Sequence, residues 1–412
     1  MTLRTNLLRW ALPALCVAGA ARAQTFSVVD PGLPDLGTDA RATALSGSGW
    51  LVGEWVDADG LTRGFRWRAG QAPLDLGFLP NMIECRAAGV NDSGQVVGWC
   101  SRGFNNTGTL RPFYWSDATG MRDLGTLDGS FESSATALAI NNLGLVAGRS
   151  DAAGEPVRPT HAAAWTINPS TGAVLSRTDL HTGAPNLLSV AVAVNDAGQI
   201  AYWIQELDSL NASRYFSRRW PERITVGPSS SFCFATAMSP TGAIAGVAFN
   251  FGVSSAWFWT GPTPGPGTTL PASDAAARGI NSAGDVVGEL NSGFGPQRGF
   301  LFRGGLVRDL NTLLRPEDSA RWTITRALAI TDSGRIAAVA SATINGSPRT
   351  RAVILTPCLA DYDHSGFVDS DDFVAFSEDF AAGRSASDID GSGFIDSDDF
   401  VAFVARFSVG CP

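Results

Sequence analysis

A chain of 412 residues that is 44% hydrophobic, with 46 Gly and 22 Pro, has room for roughly two or three domains and favours turn-rich β structure over helix. Its formal charge of −9 is local: residues 359–412 hold twelve Asp or Glu against two Arg, so the remainder is about neutral and the acidity belongs to the C-terminal tail. All 30 basic residues are arginine, which excludes a P-loop, a Schiff-base lysine and a Ser-Lys dyad, and no basic block points to nucleic acid.

The N-terminus reads as an export signal. Arg4 and Arg9 precede an apolar run over 10–20, and Ala21 and Ala23 put small residues where a signal peptidase inspects them. This predicts a signal peptide over 1–23 and a mature chain from Gln24. A lipoprotein reading would use Cys16, but Leu15 is too large for a lipobox. No other apolar run approaches the roughly 20 residues that span a bilayer. The expected location is secreted, extracellular or cell-surface associated, without a membrane span.

The next three hundred residues repeat. Aligned on one glycine, the stretches "ALSGSGWLVG" (44–53), "GVNDSGQVVG" (89–98), "AINNLGLVAG" (139–148) and four relatives fall into register. The marker residues are Gly49, Gly94, Gly144, Gly198, Gly242, Gly284 and Gly334, spaced 42 to 54 apart. In each unit an Ala-rich strand meets an Asn-Asp-Ser-Gly type turn, where Gly takes the left-handed position, and a Val/Ile strand returns. An aromatic strand follows, such as "RGFRW" (63–67) or "RPFYW" (111–115), and then a short strand that often reads Asp-Leu-Gly.

Four strands in each of seven units predict a mainly β fold, a seven-bladed β-propeller over 24–357. Small residues in the first strands suit crowding around one axis. The seventh unit reaches Cys358 with three strands while "VVDPGLPDLG" (28–37) is a fourth with no unit before it, so the N-terminal strand should close the last blade. A β-solenoid or two sandwiches would use the same hairpins. The units resemble the HAF family of probable extracellular repeats, whose consensus couples an Ala-Ile-Asn-x-x-Gly-x-Val-x-Gly hairpin to a His-Ala-Phe-x-Trp strand and Asp-Leu-Gly. The resemblance covers about residues 30–355, and here His161 alone keeps the name-giving histidine. It supports the fold and implies no assigned chemistry.

Within this body, an unknown ligand is expected on the face that carries loops 101–111, 150–160 and 205–215, opposite the tight hairpin turns. Glu54 and Glu289 each follow a second-strand glycine; as paired glycosidase acids they would be catalytic, but solvated loop carboxylates are the commoner case. His161, His181 and His364 form no zinc or triad spacing and read as structural. The tryptophans recur at strand positions, as core packing requires. Cys85 and Cys100 lie on adjacent strands of one hairpin, yet pairing Val90 with Val96 puts them on opposite faces, which leaves their bridging open. Cys233 repeats the Cys85 position and reads as a buried free thiol.

The tail, 358–412, states one phrase twice, "DYDHSGFVDSDDFVAF" (361–376) and "DIDGSGFIDSDDFVAF" (388–403). Asp361, Asp363, Ser365, the Phe367 carbonyl, Asp369 and Asp372 fall at the ligand positions of an EF-hand loop. Asp388, Asp390, Ser392, the Phe394 carbonyl, Asp396 and Asp399 repeat them, with Gly366 and Gly393 at the tight turn. Two Ca²⁺ ions are therefore expected. Asp replaces the usual Glu at the last position, and Ser is a weak donor. After each loop comes one amphipathic helix, with Phe373, Phe376 and Phe380 or Phe400, Phe403 and Phe407 on one side and Ser370 or Ser397 placed to cap it.

A duplicated loop and single helix, bracketed by Cys358 and a terminal Gly410-Cys411, resembles the GC-type dockerin-like domain. That resemblance implies a small α-helical calcium-binding domain docking on a cohesin-like receptor or surface anchor, with Ser370, Asp371, Ser397 and Asp398 at recognition positions. A Cys358–Cys411 bridge would join its ends. A solvated acidic tail and a thrombospondin-like calcium array are the alternatives, and the helices disfavour the latter. The expected function is a noncatalytic binding or scaffolding propeller anchored by its tail; the rival is an extracellular glycan hydrolase or lyase.

Overall fold

The computed structural model describes residues 25–33, 39–152, 159–181, 187–207, 213–228, 232–250, 252–291, 295–363, 368–389 and 394–410. Residues 1–24, on which the export signal rests, lie outside these. Among the described residues no helix is long and apolar enough to cross a membrane.

Seven four-stranded antiparallel blades surround one axis. Blade one runs outward through Ala40–Leu45, Leu51–Val56, Thr62–Trp67 and Leu74–Asp75, and the pattern repeats to blade six, which ends on Leu306–Asp309. In blade seven, Thr323–Ile330, Ile336–Ile344 and Ser347–Pro357 are completed by Phe26–Val29, antiparallel to the third strand from Phe26↔Pro357 to Val29↔Ile354. The expected closure is present, and the ring has no open seam. Blades four and five also touch through one parallel bridge, Tyr215↔Phe232.

Each inner hairpin is built on two backbone devices. The seven marker glycines have φ between 73° and 90°, a conformation that costs glycine nothing and any L side chain much. Every inner strand also carries a β-bulge, as between Ala42 and Ala44, Ala87 and Gly89, or Ala327 and Ala329. The bulge turns one extra side chain toward the axis and pushes a carbonyl against the second strand. A Cβ on Gly98 would stand 2.0 Å from the Arg86 carbonyl oxygen and 2.9 Å from the Phe113 ring, which is why the Val-x-Gly phrase ends on glycine.

The conserved grammar of the turns has a second cause. Asn141 accepts from the Leu145 amide at 2.8 Å, closing its own turn, and donates from Nδ2 to the Asn195 carbonyl of the next blade at 2.9 Å. Asn91 reaches Asn141, Asn195 reaches Pro240 and Asn281 reaches Thr331 in the same way. The following residue repeats the link: the Asp92 amide donates to Asn142 Oδ1, and Asn142 donates to Asp196 Oδ1. Thus the turns form a hydrogen-bonded belt from blade to blade.

At the rim, Asp-Leu-Gly does comparable work. One oxygen of Asp75, Asp123, Asp179 and Asp309 accepts the backbone amide two residues on, and the other pairs with Arg63, Arg111, His161 or Arg298 of the aromatic strand. Between blades lie aromatic cores centred on residues such as Phe113, Trp165, Trp257 and Phe300, all fully buried, each contributing roughly 1.5–3 kcal/mol or more by burial.

Asn141→Ala removes a belt link, leaves the Asn195 carbonyl without that donor and takes the side-chain acceptor from the Leu143 and Leu145 amides. It should lower unfolding free energy by about 1–3 kcal/mol in urea denaturation, whereas Leu143→Ala, in the same turn but 67% exposed, should change it by less than about 0.5 kcal/mol.

Candidate functional site

The tail folds as two matched halves. Helices Ser370–Ala381 and Ser397–Val409 lay Phe376 on Phe403, stacked with centroids 4.0 Å apart, and Tyr362 meets both rings edge-on. Phe373, Phe380, Phe400 and Phe407 surround that pair, as the helical spacing predicted. Capping differs from expectation. Asp369 and Asp396, not Ser370 and Ser397, are the N-caps: their Oδ1 atoms accept from Asp371 and Asp398 amides at 2.9 Å, while their own amides donate to Asp372 and Asp399. A carboxylate followed three residues later by another makes the reciprocal pair, whereas Ser370 and Ser397 are followed at that spacing by Phe373 and Phe400, which offer no acceptor.

Asp372 and Asp399 are fully buried and also tether the start of each loop, accepting from the Asp363 amide at 3.0 Å and the Ile389 amide at 2.7 Å. Asp361, Asp363 and Asp372 bring one carboxylate oxygen each within 4.8 Å of one another. Burial, then the charge of Asp363, raises the Asp372 carboxyl above its ordinary value against the pull of its backbone donors. All are hard oxygen donors, which fits calcium and not a soft metal. Ser365, Phe367, Asp390 and Ser392 of the two expected ligand sets lie outside the described residues; Asp388, Phe394 and Asp396 are described. Ser370, Asp371, Ser397 and Asp398 are all exposed on the first turns of the helices. Cys358 is disulfide-bonded, and Cys411 lies outside the described residues.

An axial cavity of about 1160 Å³ runs through the propeller. The bulge residues Thr43, Ala88, Leu138, Val192, Thr236, Arg278 and Leu328 line it. On the turn side, Gly383, Asp388 and Ile395 of the tail join its wall. Burial, then Arg406 of the tail and Arg68, lower the Arg335 guanidinium there, while Asp388 opposes them. On the loop side the lining is aromatic: Trp99, Trp203, Phe234 and Phe249, with Trp203 edge-on to Phe234 at 5.2 Å. The lining is therefore not the plain ring of small residues that the inner-strand sequence suggests.

Glu54 and Glu289 are strand residues, not solvated loop carboxylates. Arg86 holds Glu54 at 2.8 Å and Glu84 at 3.5 Å, and Arg278 holds buried Glu289 at 2.6 Å. Each carboxylate is engaged by an arginine, Glu289 through Oε1, while its Oε2 is buried without a hydrogen-bond partner among the described residues.

The bulge decides the cysteine pairing that the sequence leaves open. Cys85 and Cys100 form a disulfide: Val90 does face Val96, but the extra residue between Ala87 and Gly89 slips the register and brings Cys85 opposite Cys100. Cys233 is buried and free, its thiol pushed up to about 11 by burial.

The structure also joins two residues that sequence spacing left apart. His161, in the third strand of blade three, and His181, just beyond the outer strand, have ring centroids 4.9 Å apart. Asp179 lies between their chemistries, accepting His161 Nδ1 at 2.8 Å and the His181 amide at 2.8 Å. Burial works to raise Asp179, but the His161 hydrogen bond and the His181 amide bring it below its ordinary value. Burial, then His161, push His181 down to about 4. The only signal in the sequence was the histidine position relative to Asp-Leu-Gly.

A native His181 that resists protonation binds fewer protons than the unfolded chain between about pH 6.5 and about pH 4, so stability falls as pH drops through that window. In chelator, acidification from about pH 7 to about pH 5 should cost the propeller on the order of 1–2 kcal/mol in urea titrations. His181→Gln should flatten that slope; an unchanged slope would reject the assignment.

No family model matches the chain, and no curated protein matches it. Among solved structures, a Mycobacterium tuberculosis puromycin-hydrolyzing peptidase aligns over 81% of this chain and 57% of its own at 12% identity, with a TM-score of 0.44. This chain thus spans little more than half that peptidase. A Hadza microbial sialidase, Hz136, aligns over 72% and 73% at 8% identity and TM-score 0.39. The Aleuria aurantia lectin aligns over 77% and 96% at 12% identity and TM-score 0.34. At these values the likenesses bear on neither substrate nor activity.

Proposed function

We propose that the protein is a secreted, noncatalytic binding or scaffolding propeller of the HAF-repeat type, anchored to a cell surface or extracellular complex by a calcium-dependent, dockerin-like tail. The observation that supports this most is the matched pair of loop and helix units. In each, a buried aspartate at the twelfth loop position ties the loop start to the helix start through backbone amides. Asp361, Asp363, Ser365, Phe367, Asp369 and Asp372 would hold one Ca²⁺, and Asp388, Asp390, Ser392, Phe394, Asp396 and Asp399 the other. Bound calcium neutralises carboxylates that otherwise repel one another and so orders the segment. Exposed Ser370, Asp371, Ser397 and Asp398, with neighbouring exposed Val374 and Val401, would then meet a cohesin-like receptor.

For the propeller, a binding role is favoured over glycan hydrolysis or lysis because Glu54 and Glu289 are paired with arginine while aromatic rings line the loop side of the axial cavity. The rival reading predicts product from a glycan panel and its loss in Glu54→Gln or Glu289→Gln.

Equilibrium dialysis of the full chain should recover two calcium ions. Asp372→Ala and Asp399→Ala together should abolish uptake, and calcium at a hundredfold excess over Kd should raise tail stability by about 2.7 kcal/mol. Chelator should melt the tail helices and leave the propeller transition in place. A chain that takes up no calcium at millimolar supply rejects the anchoring reading.

A further inference from the structure

We propose that His161 and His181 form a two-imidazole site for a borderline divalent transition metal, of the zinc or copper class, where the third strand of blade three meets the connection into blade four. Both side chains are nearly fully buried, 3% and 4% exposed. Among the described residues, three of their four ring nitrogens, His161 Nε2 and both nitrogens of His181, are buried with no hydrogen-bond partner. A buried polar atom left unpaired is costly, and a metal held by His161 Nε2 and the lone-pair nitrogen of His181 would pair two of the three, the other His181 nitrogen keeping its proton.

The geometry specifies what kind. The Asp179 carboxylate accepts from His161 Nδ1, so that nitrogen carries the proton and Nε2 presents its lone pair. A carboxylate behind an imidazole in this way is the usual outer-shell support of a metal-ligating histidine. With metal–nitrogen bonds of about 2.0–2.1 Å, two imidazoles at a roughly tetrahedral angle have centroids on the order of 5 Å apart. The observed separation is 4.9 Å. Asp179 also accepts the His181 amide, which fixes the second ring relative to the first.

Neutral nitrogen donors suit Zn²⁺, Cu²⁺ or Ni²⁺ and are poor ligands for calcium, so this site and the acidic tail differ in the ions they select. The nearby cations are Arg218, which is paired with Glu206, and Arg223. Two protein ligands leave positions for water or an incoming donor, which makes the site an open one.

The test uses the full chain in millimolar calcium, which occupies hard-oxygen sites. Copper(II) electron paramagnetic resonance should show one ion per chain with nitrogen splitting from two imidazoles. Because the chain has three histidines, the same spectrum in His364→Gln assigns both nitrogens to His161 and His181 without touching the site. Zinc titration calorimetry should lose at least tenfold in affinity in His161→Gln or His181→Gln. Asp179→Asn, a positioning change, should weaken binding by about 10–100-fold while the nitrogen count stays at two. Failure of the His364→Gln chain to take up copper or zinc, as when a water bridges the rings, overturns the proposal. So does binding through oxygen alone. If the histidine variants fail to fold by circular dichroism, the His364→Gln spectrum still decides.

Discussion

Seven inner strands share one axis, and the hydrogen bonds that run between their turns set most of what the molecule looks like. Strands this close need small side chains, a bulge that spends one residue on the channel wall, and a turn residue that serves two blades at once. Asparagine meets the last need because its amide both accepts and donates: Asn141 closes its own turn with one atom and grips Asn195 of the next blade with the other. Where Ser46, Ser239 or Thr331 stands instead, the hydroxyl still closes the turn, to the amides of Trp50, Ala243 and Arg335. There the neighbouring blade is reached by other means, such as Thr43 and Thr236 donating to the Ala87 and Ala277 carbonyls.

That central constraint divides the molecule chemically. Its turn side is a polar belt against which the tail rests, contributing Asp388 and Ile395 to the cavity wall. Its loop side is aromatic and charged, with acids and arginines paired. The two proposed metal sites would divide in the same way, hard oxygen in the tail and imidazole nitrogen in the body, and would respond to different ions.

Much of this was legible in one dimension because it repeats. Marker glycines, blade count, N-terminal closure and the phenylalanine faces of the tail all follow from local periodicity, and local periodicity survives folding. What failed to show were features that depend on a single inserted residue or on distance through space. Proximity and register left the pairing of Cys85 with Cys100 open, and one bulge at Ala88 sets them opposite each other. Glu289 looked like a loop acid and is buried under Arg278. Ser370 is placed to cap, but Asp369 has Asp372 three residues on to complete the two-way bond, where Ser370 has Phe373.

By itself the sequence determined the repeat unit, the order of strands and the twin acidic loops, because turn chemistry and side-chain period act between residues near in the chain. Only the tertiary structure decided which bulge residues face the axis, which carboxylates meet an arginine, and that His161 and His181 lie ring to ring. Those outcomes depend on register between strands and on packing between blades: His161 and His181 meet by continuing the Ala163↔Asp179 register of one blade, and no local spacing encodes where such a register falls.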